Sequence, residues 1–142
     1  MQSILGWTLL IFPGALFLVQ LISSLNFPLA QRLGLQESAE NADPLLIRAE
    51  RYVAYWDLLS LIWLPVAGLL ILLNHPYWPH LSLIGGAIYI DAAGREAAKN
   101  LSFRHQGIKA GTRQQQKLFF STYIIMMFLG SITVAYAFAQ FL

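Results

Sequence analysis

The sequence predicts an all-α integral membrane protein, four transmembrane helices in a bundle with both termini outside, on the non-cytoplasmic face. Three observations predict it. Hydrophobic residues make up 57% of the 142 residues and charged residues only 11%, less than half the charged share of an ordinary soluble domain. Four apolar segments stand out, at about 4–25, 52–73, 81–101 and 118–142. All nine Lys and Arg residues fall in two groups, Arg32, Arg48 and Arg51, then Arg95, Lys99, Arg104, Lys109, Arg113 and Lys117. Under the positive-inside rule this places two basic loops, 26–51 and 102–117, in the cytoplasm. The turn 74–80 then faces outside. The whole chain, 1–142, reads as one membrane domain in a plasma or inner membrane.

The first segment carries no charge and lacks both the basic start and the small-residue cleavage site of a secretory signal. It reads as a retained helix, with Pro13-Gly14 as an expected kink. Its roughly 20 residues suffice to cross about 30 Å of hydrocarbon. In the loop that follows, Asp43 before Pro44 reads as an N-cap with proline at the first helical position. The second helix therefore starts there and continues to about Leu73. Pro65 removes one backbone donor and should kink it near Leu61.

The third segment, "LSLIGGAIYIDAAGREAAKN", has only about ten apolar residues before Asp91, too few to span by themselves. With both basic loops in the cytoplasm and the second helix crossing between them, the third segment must cross back. At about 1.5 Å per residue from Leu81, Asp91 lies roughly 15 Å deep and Arg95 about 21 Å. Lys99 then reaches the inner surface. Counting the second helix back from Leu73 brings Asp57 to nearly the depth of Arg95, so an Asp57–Arg95 ion pair is expected, with Asp91 beside it. An unpaired charge at that depth costs about 3 kcal/mol on insertion scales. The cluster Asp57, Asp91, Arg95 and Lys99 is either a latch that sets helix register or the lining of a pocket. Gln20 and Asn26 are expected to add polar contacts from the first helix. In the fourth segment Ser131, Ala135 and Ala139 recur every four residues, a small-residue stripe on which another helix can pack closely.

Several function classes are excluded. The chain has no cysteine, hence no disulfide, thiolate metal site or attacking thiol. His75 and His80 flank the outer turn and His105 lies in an inner loop, so no two face each other within the membrane to hold haem. No serine, histidine and carboxylate fall in a recognisable catalytic arrangement, and no phosphate-binding glycine motif is present. No catalytic residue, metal or cofactor is expected. Nucleic acid is excluded as a partner because topology already accounts for every basic residue. Anionic lipids suit the basic loop "LSFRHQGIKAGTRQQQK".

The start of the second helix reads "RAERYVAY", Arg48 to Tyr55. The length, four helices, two basic loops and outside termini resemble the membrane-associated proteins of eicosanoid and glutathione metabolism. Those carry roughly Arg-Ala-His-x-Asn-x-x-Glu at this point. Arg48 and Ala49 match, while Glu50, Tyr52 and Tyr55 stand where His, Asn and Glu are expected. The resemblance implies a glutathione- or lipid-dependent transferase with a cytoplasmic basic pocket, in which Arg48, Arg51 and Arg95 would bind the anion.

Three functions follow as expectations. The first is a non-catalytic subunit or assembly partner of a larger membrane complex, acting with other membrane subunits or as a homo-oligomer. The second is the transferase. The third is a small carrier or sensor using the intramembrane aspartates and arginine.

Overall fold

The computed structural model describes residues 2–142; Met1, the first residue of the expected domain, lies outside them. The described residues form six helices: α1 (Gln2–Leu25), α2 (Phe27–Arg32), α3 (Pro44–Ser60), α4 (Trp63–Leu72), α5 (Trp78–His105) and α6 (Arg113–Phe138). No strand occurs among the described residues, only one isolated bridge, Ala42 to Ala110. Three helical rods are long and apolar enough to cross a membrane: Gln2–Leu25, Pro44–Leu72 and Arg113–Phe138. The protein is therefore an integral membrane protein. α5 is comparably long, at 28 residues, but carries Asp91, Arg95, Glu96 and Lys99 from its middle onward.

The α3 start is as the sequence foretells. Asp43 caps it, its Oδ1 accepting the Leu45 amide at 2.8 Å, and Pro44 takes the first turn. Proline's fixed φ suits that position and its missing N–H is not needed there. Pro65 has the foreseen effect too. The rod breaks at Leu61–Ile62, one turn before the proline, and α4 resumes at Trp63. Pro13 differs, because α1 runs through it without interruption. The α6 helix begins at Arg113 behind a reciprocal cap between Thr112 and Gln115 and ends at Phe138, so the last four residues of the fourth segment lie beyond it.

Neighbouring rods run antiparallel. Gly6 of α1 lies against Ile71 and Leu72 of α4, while Gly68 lies against Leu9 and Leu10. Between α5 and α6 the register is read from Trp78 stacked on Tyr136 at 5.7 Å, Gly86 against Gly130, and Asn100 hydrogen-bonded to Tyr123. The chain termini and the 73–77 turn thus share one end, and the basic loops share the other. The core of Leu9, Leu61, Leu64, Ile71, Tyr89, Ala93, Met126 and Leu129 joins all four rods.

Glycine sets the α5–α6 spacing. A Cβ on Gly86 would meet the Gly130 carbonyl oxygen at 2.9 Å, and one on Gly130 would meet that of Gly86 at 2.7 Å. Backbones this close gain dispersion contacts that side chains would block. Ser131 and Ala135 of the expected stripe are exposed on α6, and Ala139, its C-cap, is exposed too. Met126, Leu129, Gly130, Thr133 and Ala137 face inward instead.

Candidate functional site

At the basic end the rods part. α4 packs on both α1 and α5, but α3 does not pack closely on α5, nor α1 on α6. The space between them is a cavity of about 270 Å³. Its apolar wall includes Leu16, Val19, Val53, Leu61, Phe119 and Met126. Its polar wall holds four carboxylates, Glu37, Glu50, Asp57 and Glu96, with Gln20, Gln36, Asn100 and Tyr123. No lysine or arginine lines it.

Local helix geometry explains this lining. On α5 the inward positions are Gly85, Gly86, Tyr89, Ala92, Ala93 and Asn100, the three-to-four spacing of one helix face. Glu96 belongs to that face. Ala92 and Ala93 leave room beside it, and Asn100 donates to Tyr123 Oη at 3.2 Å. On α3, Glu50, Val53 and Asp57 recur at the same spacing.

One cation reaches the carboxylates. Lys99 pairs with Glu50 across the helices and with Glu96 on its own helix. These are the ion pairs of the described residues. Two buried oxygens in the cavity wall lack any donor, Gln20 Oε1 and Asp57 Oδ1. Buried acceptors are normally satisfied, so each is a place where a donor fits.

The loop after α2 closes the cavity. Gln31 Nε2 donates to the Glu37 carbonyl at 2.7 Å, Gln36 Nε2 to Ser23 Oγ at 3.2 Å, and Gln115 Nε2 to the Gln36 carbonyl at 3.3 Å. Asp43 N–H bonds to the Lys109 carbonyl at 3.0 Å and Gly111 N–H to that of Asn41 at 2.9 Å, so the two basic loops hold each other. Gln36 and Glu37 are thereby buried to 7% and 6% exposure. Burial pushes the Glu37 carboxyl above its ordinary range, with Lys99 and its own amide opposing and Glu96 adding to the rise. The docked loop therefore binds the proton more tightly than the free chain. Docking is at full strength below the ordinary carboxylate pKa and weakens as pH rises through the raised value. Amide exchange across 33–43, compared at each pH with Glu37→Gln, should show this: the wild type loses protection as pH rises and the variant does not. Equal pH profiles would remove Glu37 from the closure.

The expected residues divide. Asp57 lines the cavity, and Lys99 reaches its edge. Asp91 and Arg95 are exposed on the other side of α5, where they line a separate groove of about 240 Å³ with Trp56, Leu59, Ser60, Trp63 and Ile88. The expected Asp57–Arg95 ion pair is not formed. The two side chains lie on different faces: Asp57 faces the cavity and Arg95 faces outward. Arg48 and Arg51 are exposed and, like Arg95, do not line the cavity. Asn26 caps α2 through a 3.1 Å bond from the Leu29 amide rather than reaching another rod. Sequence reasoning missed Glu37, Glu50, Glu96 and Asn100. Glu50 carried a usable signal. It lies 22 residues before Leu72 and Lys99 lies 21 after Trp78, which is equal depth in an antiparallel pair.

No known protein-family model, curated protein or solved structure matches the chain. Among the described residues no three His, Asp or Glu side chains converge to hold a metal ion. The carboxylates are spread along a partly apolar wall, a chemistry suited to an organic cation with an apolar body.

Proposed function

We propose that the protein is a small membrane carrier or sensor that takes the ammonium group of an amphiphilic organic cation into this cavity. The observation that carries the reading is the pair of donorless buried oxygens, Gln20 Oε1 and Asp57 Oδ1, in a wall of four carboxylates without a basic residue. A protonated amine offers up to three N–H donors and one positive charge. Lys99 offsets one carboxylate charge of the four. The apolar wall takes the ligand's hydrocarbon part. The volume lies near the lower end of small-molecule sites, about 300 Å³. An anion such as glutathione would meet like charge here, which weighs against the transferase.

The reading includes four crossings, with α5 the fourth. Its 28 residues extend about 42 Å, and it lies antiparallel between α4 and α6. Glu96 and Lys99 are matched within the bundle. The basic end faces the cytoplasm under the positive-inside rule, and the cavity lies on that side of a plasma or inner membrane.

The test is equilibrium binding of decylammonium and decanoate, chains of equal length and opposite charge, to protein purified in a neutral detergent. Decylammonium should bind at least tenfold more tightly. Asp57→Asn should weaken it roughly tenfold, the loss of about 1.4 kcal/mol from one charge-assisted contact, without lowering thermal stability. Equal affinity for the two chains overturns the reading. The expectation of an assembly partner is favoured by a different observation, the outward charges of α5.

A further inference from the structure

The outer side of α5 presents Ile84, Ala87, Asp91, Arg95 and Ala98, all exposed and spaced three or four apart. Asp91 and Arg95 form no ion pair with each other or with any described residue. Beside them the groove floor contains Ser60, whose buried hydroxyl has no partner. Asp91 lies 13 residues from the start of α5, roughly 20 Å along the helix. If α5 crosses the membrane, as proposed above, this is near the midplane, beyond the reach of lipid headgroups. Charges so placed in hydrocarbon need protein partners.

We infer that a second copy of this chain covers this face, with Asp91 of each copy paired to Arg95 of the other. The two copies share one membrane orientation, so a two-fold axis along the membrane normal sets the two α5 helices side by side and parallel. A contact of this kind is isologous, the same patch meeting itself. Asp91 and Arg95 differ in depth by about 6 Å, which an arginine side chain spans. One negative and one positive group on a single patch become two bridges when doubled, with no charge left over. Ala87 and Ala98 flank the pair and allow the helices to approach closely. Trp56 and Trp63 border the groove on the α3–α4 side.

The chain lacks cysteine, so single cysteines report cleanly. Ala87→Cys and Ala98→Cys, each in the full chain in native membranes, should give disulfide-linked dimers on oxidation. Ile124→Cys, exposed on α6, should not. In the Ala98→Cys background, Asp91→Arg and Arg95→Asp should each reduce the dimer at least fivefold, and the two together should restore it. Failure of Ala87→Cys and Ala98→Cys to cross-link, a dimer indifferent to the single reversals, no recovery in the exchange, or cross-links only to a different protein would overturn the inference. A membrane-impermeant maleimide separates this from the crossing itself. Protection of Ala87→Cys without a dimer rejects the second copy alone, whereas labelling of monomeric Ala87→Cys rejects the crossing on which it rests.

Discussion

Replacing Lys99 by methionine should destabilise the protein by about 3 kcal/mol, the usual loss when one partner of a buried ion pair is removed. Lys99 serves Glu50 and Glu96 together, and their side chains are only 13% and 17% exposed. Without it both are left among Glu37 and Asp57, with no other cation in the wall. The methylene stem is preserved in methionine, so packing loss is small and the effect is electrostatic. A thermal unfolding series in detergent measures it. Glu50→Gln and Glu96→Gln, added to Lys99→Met, should recover most of the loss, because the uncompensated charges leave with them. If the triple variant stays as unstable as the single, Lys99 acts through packing rather than charge. Decylammonium should raise the melting temperature of Lys99→Met more than that of the wild type, since it replaces the missing cation.

The second large effect falls at the α5–α6 contact. Gly86→Ala and Gly130→Ala should each cost about 2 kcal/mol, within the range for overpacking a tight core. Each new methyl meets the other helix's backbone oxygen, at 2.9 and 2.7 Å, and backbone cannot turn aside as a side chain can. The double variant should cost less than the sum, because one outward shift of α6 relieves both clashes. Gly14→Ala is the control. Nothing lies within 4 Å of its added Cβ, and replacing a mid-helix glycine should stabilise by roughly 0.5–1 kcal/mol. Thermal unfolding of the four variants checks the set; strict additivity at 86 and 130 would argue against a single shared contact.

Features that depend on local backbone chemistry were legible in the sequence. Asp43-Pro44 starts α3 because a carboxylate can cap and proline needs no amide there. Pro65 breaks the rod one turn earlier because the carbonyl that its missing N–H would have bonded, that of Leu61, belongs to that turn. The membrane character follows from composition. What could not be read depends on rotation and on long-range closure. Depth counting puts Asp57 and Arg95 level, yet the face that α5 turns inward is set by Gly85, Gly86, Tyr89 and Ala92 packing on other helices. That choice sends Glu96 into the cavity and Arg95 out. Ser131, Ala135 and Ala139 form a better spacing pattern than Gly130 alone, but Gly130 has Gly86 opposite it within the chain, while the stripe is exposed. The 33–43 stretch reads only as part of the basic loop 26–51, and its burial of Glu37 arises from Gln31, Gln36 and Gln115, brought together only by the fold.

Photolabelling shows whether the carboxylate-walled cavity receives an organic cation. A decylammonium carrying a diazirine on its chain is irradiated with the purified protein, and the adducts are located by mass spectrometry. The adducts should fall on Leu16, Val19, Val53, Phe119 or Met126, and unlabelled decylammonium should suppress them where decanoate does not. Adducts confined to outward residues such as Ile124 and Phe128, or equal suppression by decanoate, would show that the cavity is not a site for an organic cation.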